Sequence, residues 1–130
     1  MPKTMLVVDD QSDVRDYVRM ALDVERHRTY EASNGEDALL MAQSLRPDCV
    51  FLDIRMPGRI DGLDVCSRIK ADAALRDTYV VIITAYGERD VVEAVERAGA
   101  DACLIKPFTF DMLLTAADRA ARHRTHPTLS

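Results

Sequence analysis

Several features that mark other classes of protein are absent from this sequence. It contains no tryptophan and no apolar run that approaches the roughly 20 residues needed to cross a membrane. No signal peptide is evident before the first apolar segment, so the cytoplasm is the expected location. Basic residues are scattered through a chain with a formal net charge of −5. This balance argues against nucleic acid or an anionic membrane as a direct partner.

The cysteines are too few to form a disulfide framework. Cys49, Cys66 and Cys103 are odd in number and include no Cys-x-x-Cys pair, which also argues against a zinc site. Each is therefore predicted to be a small buried apolar residue. The three histidines show no metal-ligand spacing and are predicted to be solvated.

The chain does contain enough apolar residues to close one core. It has 130 residues, of which 48% are hydrophobic, and this is the size of a single domain. No internal repeat or low-complexity segment interrupts it. The domain is predicted to span residues 1–123, and residues 124–130 are predicted to form a flexible tail because they lack an apolar pattern.

Short apolar runs alternate along the chain with segments that repeat apolar residues at helical spacing. Such runs, bounded by turn residues, are typical of strands buried in a parallel sheet. Right-handed crossovers between these strands place helices on both faces. The predicted fold class is therefore α/β, a single doubly wound five-stranded parallel sheet. The predicted strands are residues 5–8, Arg28–Ala32, Cys49–Asp53, Tyr79–Thr84 and Ala102–Ile105.

The helix boundaries are predicted from capping residues. Ser12 is a candidate N-cap for the first helix, and Asp61 is a candidate for the third. Pro47 ends the second helix, and Gly99 stands where a C′ glycine belongs after the fourth. The last helix is predicted over residues 109–123.

Polar side chains stand at the carboxyl ends of four predicted strands. In the sheet order 2-1-3-4-5 of flavodoxin-like folds, ligands bind where the ends of strands one and three meet. Three carboxylates gathered there would raise one another's pKa. A hard cation with oxygen ligands, such as Mg²⁺, removes that conflict. The strand-end residues are Asp9, Asp10, Asp53, Thr84 and Lys106.

Four short motifs, in this order and at this spacing, resemble the receiver domain of two-component response regulators. The resemblance covers nearly the whole chain and is closest to stand-alone, chemotaxis-type receivers. Each motif alone is weak evidence, because an acid can begin a helix and a threonine can end a strand, whereas the set is specific. The motifs are Val7-Val8-Asp9-Asp10, Asp53-Ile54-Arg55-Met56-Pro57, Thr84-Ala85 and Lys106-Pro107-Phe108.

The resemblance implies a metal site and a phosphoacceptor. Asp10 and Asp53 would bind Mg²⁺ (or Mn²⁺), Asp9 would reach it through water, and the backbone carbonyl of Arg55 would complete the protein ligands. Asp53 would then be the nucleophile that accepts a phosphoryl group. The donor would be a sensor histidine kinase or a histidine phosphotransfer protein, and the downstream protein target is unknown.

Three further residues are implied to respond to the phosphoryl group. Lys106 would offset charge on the transferring oxygens. Thr84 would hydrogen-bond a phosphoryl oxygen and alter the surface formed by helix 4, strand 5 and helix 5. Pro107 resembles the cis-proline of the family. The chain would thus be a phosphoacceptor rather than an enzyme, with at most self-catalysed phosphorylation and dephosphorylation.

The sequence departs from the family pattern in three places. Cys103 replaces the tyrosine or phenylalanine usual three residues before the site lysine, so the aromatic half of the usual switch is missing. The loop after the third strand is one residue longer than the commonest form, at residues 58–60. Arg55 and Tyr86 flank the expected path of the hydrolysing water, and we expect Arg55 to stack on Tyr86 or touch the phosphoryl group, slowing its loss.

Other functions are compatible with parts of the pattern. A haloacid dehalogenase-type phosphatase also uses a strand-end aspartate, but it requires Asp-x-Asp where this chain has Asp9-Asp10-Gln11. A flavin-binding module would need a phosphate cradle that the first turn lacks. A receiver with a dead site conflicts with the full acidic set. No effector domain follows the last predicted helix, so a stand-alone receiver and part of a longer regulator are both open.

Overall fold

The computed structural model describes residues 2–85, 87 and 89–123. The predicted tail at 124–130 and Tyr86 lie outside these residues. Five strands alternate with five helices within the described part, as predicted. The elements in chain order are β1 (Thr4–Val8), α1 (Ser12–Asp23), β2 (Arg28–Ala32), α2 (Gly35–Leu45), β3 (Cys49–Asp53), α3 (Gly62–Ala71), β4 (Tyr79–Thr84), α4 (Arg89–Arg97), β5 (Ala102–Ile105) and α5 (Phe110–Arg122).

The strands form one parallel sheet in the order β2-β1-β3-β4-β5. This confirms the predicted topology. The central strand β3 is buried at all five positions, which explains its uninterrupted apolar sequence. The edge strand β2 buries only Ala32, which explains why its apolar signal is weak.

Successive residues of each strand point to opposite faces, so the sheet separates two hydrophobic cores. In β1, Leu6 and Val8 pack into the core shared with α2, α3 and α4. Met5 and Val7 pack into the core shared with α1 and α5. Helices therefore cover both faces of the sheet, and the carboxyl ends of all the strands lie along one edge.

The predicted cap of α3 is confirmed. Asp61 accepts a hydrogen bond from the backbone N–H of Asp64 at 2.9 Å, and the Asp64 carboxylate accepts one from the Asp61 N–H at 3.1 Å. This reciprocal pair satisfies two N–H groups that the helix itself leaves without partners. Gly99 follows α4 with a φ of 88°, as expected for a C′ glycine.

The predicted cap of α1 is wrong. Ser12 is the first helical residue, and Gln11 occupies the N-cap position without a side-chain cap hydrogen bond. The chain turns one residue early because the carboxylate of Asp9 accepts the backbone N–H of Gln11 at 2.9 Å. Asp9 therefore fixes the N-cap residue Gln11, and no side chain at the N-cap position caps the first turn of α1.

Two predictions about burial need correction. His27, predicted to be solvated, is 6% exposed, and its Nδ1 accepts the backbone N–H of Lys3 at 3.0 Å. Burial lowers its pKa below 6.5. Cys49 and Cys66 are buried as predicted, whereas Cys103 is only partly buried, because β5 is an edge strand of the sheet.

Candidate functional site

Three carboxylates meet at the carboxyl edge of the sheet. Asp9 and Asp10 directly follow β1, and Asp53 is the last residue of β3. Since β1 and β3 are adjacent and parallel, with Val8 opposite Leu52, their ends lie side by side. One oxygen from each carboxylate lies within 4.8 Å of the other two. The fold therefore brings the three predicted acids together.

Asp9 is the most enclosed of the three, at 1% exposure. Its Oδ1 accepts the Gln11 N–H, but its Oδ2 has no hydrogen-bond partner in the described part of the chain. Burial raises the pKa of Asp9 from 3.8 to about 6, and the nearby charge of Asp53 adds to this effect while Lys106 opposes it. Mutual repulsion was the predicted cause, and burial is the larger one.

Lys106 supplies the positive charge of the cluster. Its Nζ lies 3.4 Å from Oδ2 of Asp53 and 3.5 Å from Oδ2 of Asp9. Its backbone N–H donates to the carbonyl of Thr84 at 2.7 Å, which fixes the end of β5 against β4. The Lys106–Pro107 peptide bond is cis, as the resemblance implied.

A cleft of about 360 Å³ opens above the carboxylates. Thr84, the last residue of β4, is 1% exposed. Asp9 lies beneath the lining, whereas Arg55 is an exposed residue of the rim. The contact predicted between Arg55 and Tyr86 falls outside the described residues. The lining residues are Asp10, Gln11, Asp53, Arg55, Thr84, Ala85 and Lys106.

Gly62 supports the site, although it was not predicted as a site residue. A Cβ at this position would collide with the carbonyl oxygen of Asp53, so only glycine allows this approach. The Gly62 N–H donates to the carbonyl of Ile54 at 2.8 Å. These contacts hold the start of α3 against the residue that follows β3. The Asp61-Gly62 dipeptide was the available signal, and it was interpreted only as a turn and cap.

Glu36 was also missed, and it supports the loop at residues 58–60. Its carboxylate accepts the backbone N–H of Arg59 at 3.0 Å, and this hydrogen bond is the main cause of its lowered pKa. Gly58 has a φ of 106°, and a Cβ there would lie 2.6 Å from a Glu36 oxygen. Ile60 is 9% exposed in the core beneath the loop. The loop at residues 58–60 is therefore anchored to α2.

The donor set fits a hard divalent cation. All the candidate ligands are oxygens, the type that Mg²⁺ and Mn²⁺ prefer. The unsatisfied Oδ2 of Asp9 is a buried acceptor, and the ammonium group of Lys106 lies 3.5 Å from it. An ion between the carboxylates would provide the positive charge that the cluster lacks.

Comparisons with known proteins agree with this geometry. The family described as the response regulator receiver domain matches residues 5–118. Sporulation initiation phosphotransferase F of Bacillus subtilis is 36% identical over 120 residues, which are 92% of this chain and 94% of that protein. Response regulator MprA of Mycolicibacterium vanbaalenii is 39% identical over 127 residues, or 98% of this chain. The chain spans only 53% of that relative.

A solved structure extends the comparison to three dimensions. The receiver domain of NtrX from Brucella abortus is 38% identical and superposes with a TM-score of 0.81, covering 89% of this chain and 96% of that domain. None of the helices in the described part of the chain has the length and apolar content of a membrane span. With its parallel sheet in the order 2-1-3-4-5 and its strand-end acids, the chain belongs to the response regulator receiver domain family.

Proposed function

We propose that this chain is a signalling switch in which Asp53 accepts a phosphoryl group from a sensor histidine kinase or a histidine phosphotransfer protein. The observation that carries the proposal is the meeting of three carboxylates with the ammonium group of Lys106 at the mouth of one cleft. The family match makes phosphoacceptor chemistry the natural use of this arrangement.

Asp10 and Asp53 are the proposed direct ligands of Mg²⁺ or Mn²⁺. Asp9 is proposed to contribute through water, and the backbone carbonyl of Arg55 is proposed to complete the protein's share. The grouping of the carboxylate oxygens supports this assignment. When bound, the ion would offset negative charge on the oxygens of the transferring group.

In the proposed reaction a carboxylate oxygen of Asp53 attacks phosphorus. A new oxygen–phosphorus bond forms while the phosphorus–nitrogen bond of the donor histidine breaks, and the electron pair stays on the ring nitrogen. The Nζ of Lys106 lies 3.4 Å from the Asp53 carboxylate, so its ammonium group is placed to stabilise negative charge on the phosphoryl oxygens during transfer. Thr84 would donate its hydroxyl to one of these oxygens. Turnover is limited to the protein's own phosphorylation and dephosphorylation.

The proposed output surface comprises α4, β5 and α5. Cys103 of β5 lies in a groove of about 290 Å³ on this surface, beside Tyr79, Met112 and Arg119. A cysteine cannot supply the rotating ring expected at this position, so the signal must reach the surface through Thr84 and the backbone of β5. An unknown downstream protein is the proposed target. The cytoplasmic location, the lack of direct nucleic acid or membrane contact, and the 1–123 domain with its 124–130 tail stay predictions.

Intact mass spectrometry after incubation with Mg²⁺ and acetyl phosphate tests the proposal. We expect the wild-type protein to gain the mass of one phosphoryl group, and Asp53→Asn to gain none. Asp23→Asn is the matched control, because Asp23 is an exposed acid at the end of α1 and should not affect labelling. Equal labelling of Asp53→Asn and wild type, or labelling that persists in EDTA, would contradict the assignment.

A further inference from the structure

Arg15 links the acidic loop after β1 to the edge strand β2. Its Nη1 donates to the backbone carbonyl of Asp9 at 2.6 Å, and its Nε donates to the carboxylate of Glu31 at 2.8 Å. The Arg15 side chain is only 17% exposed. A guanidinium group is planar and rigid, so fixing Nε on Glu31 also fixes the direction of Nη1. The carbonyl of Asp9 is therefore held by an oriented donor.

This carbonyl is part of the peptide group that joins Asp9 to Asp10. Its orientation sets the direction in which the backbone leaves Asp9 and enters Asp10. The N–H of Asp9 is already fixed, since it donates to the carbonyl of Ala32 at 3.2 Å. With both sides of Asp9 held, the placement of the two carboxylates relative to Asp53 depends on the hydrogen bond from Arg15.

We propose that Arg15 is a positioning residue for the metal site, which orients the Asp9–Asp10 peptide so that the carboxylates can share one divalent ion. This inference rests on the proposed function. Arg15 does not touch the ion or the phosphoryl group. Its effect is on the spacing of the ligands, as is common for groups that hydrogen-bond metal ligands.

Arg19 provides a matched control. It lies one turn further along α1 and donates to the same Glu31 carboxylate at 2.8 Å. Within the described part of the chain, only Arg15 also donates to the Asp9 carbonyl. Replacing either arginine removes one ion pair with Glu31, but only replacing Arg15 releases the acidic loop.

The test is the dissociation constant for Mg²⁺, measured by isothermal titration calorimetry on the full chain with circular dichroism confirming the fold. We expect Arg15→Ala to raise this constant roughly tenfold, and Arg19→Ala to change it by less than about twofold. Arg15→Lys keeps the positive charge but loses the planar guanidinium group with its several fixed donors. It should therefore raise the Mg²⁺ dissociation constant about threefold. Labelling by acetyl phosphate should require more Mg²⁺ in Arg15→Ala, yet reach a rate within about threefold of wild type at saturating Mg²⁺.

A lower unfolding temperature for Arg15→Ala in EDTA with unchanged Mg²⁺ affinity would mean that Arg15 is only structural, and would overturn the proposal. Equal weakening by Arg15→Ala and Arg19→Ala would also overturn it. If Arg15→Ala does not fold, the comparison of Arg15→Lys with Arg19→Ala decides the question by the same criterion. Failure of the wild-type protein to bind Mg²⁺ would instead refute the proposed metal site itself.

Discussion

Replacing Asp9 by asparagine is expected to stabilise the metal-free protein at neutral pH, although it removes a proposed contributor to the metal site. The Asp9 side chain is buried, and its Oδ2 has no hydrogen-bond partner among the described residues. Its pKa rises from 3.8 to about 6, with burial as the largest cause and Asp53 adding to it. The fold therefore disfavours the ionised carboxylate.

The size of the effect follows from this pKa. A difference of about 2 in pKa corresponds to roughly 3 kcal/mol between the two protonation states. Because the pKa is higher in the folded than in the unfolded protein, the contribution of Asp9 to the unfolding free energy falls as the pH rises from about 4 to about 6. At pH 7 Asp9 is mostly ionised and the cost is nearly complete. An asparagine amide carries no charge and therefore avoids the cost of ionisation, and it can donate a hydrogen bond to the Asp53 carboxylate. We expect Asp9→Asn to raise the unfolding free energy by about 1 to 3 kcal/mol.

Urea unfolding followed by circular dichroism in EDTA measures this gain, because the chain has no tryptophan for fluorescence. The difference between Asp9→Asn and wild type should be present at about pH 7.5 and largely lost at about pH 4. Asp16→Asn is the control, since Asp16 is an exposed acid of α1 whose replacement should change the unfolding free energy by less than about 0.5 kcal/mol.

Addition of Mg²⁺ should reduce the difference in unfolding free energy between Asp9→Asn and wild type. An ion held by the proposed site would stabilise the folded protein, and the wild-type site should bind it more tightly than the Asp9→Asn site. An Asp9→Asn protein that is no more stable than wild type at neutral pH in EDTA would refute the electrostatic argument. A difference that is the same at both pH values would refute it too, since the gain would then not come from ionisation of Asp9.

Two further predictions concern residues that support the site or the sheet. Gly62→Ala should lower the unfolding free energy, measured by urea unfolding, by about 2 to 4 kcal/mol, because the new methyl group would collide with the carbonyl oxygen of Asp53. A decrease below about 1 kcal/mol would show that the loop can move aside and would contradict this prediction. Burial lowers the pKa of His27 in the folded state, so the contribution of His27 to the unfolding free energy should decrease as the pH falls below about 6.5, opposite in sign to that of Asp9. The unfolding free energy of wild type minus that of His27→Gln should therefore decrease as the pH falls over that range, and a difference that does not depend on pH would contradict the argument.

The fold could be predicted because its signals are local. The continuous apolar run of β3 and the β-branched run of β4 indicate buried parallel strands without reference to the rest of the chain. β2 has only one buried residue, so its own apolar signal is weak, although the predicted strand Arg28–Ala32 matches the structure. The cap at Asp61 is a local pattern of the same kind.

The supporting contacts could not be predicted, because their partners are far apart in the sequence. Lys3 and His27 are separated by 24 residues, and Glu36 and Arg59 by 23. No spacing rule relates such pairs, and each depends on where the sheet places its loops. The error at Ser12 has a different origin, because it lies between neighbouring residues. The Asp9 carboxylate accepts the N–H of Gln11, two residues further on, and Gln11 rather than Ser12 takes the N-cap position of α1.

The charges of the site connect its stability with its proposed function. Three carboxylates meet beside the cleft, and the ammonium group of Lys106 lies 3.4 Å from Asp53 and 3.5 Å from Asp9. At neutral pH this leaves an excess of negative charge, and an incoming phosphoryl group is itself an anion that the excess would repel. A divalent cation would reverse that repulsion and would also remove the cost of ionising Asp9. The buried acid that destabilises the metal-free fold is thus the feature that would favour binding of the proposed ion, which is the expected trade-off between stability and activity.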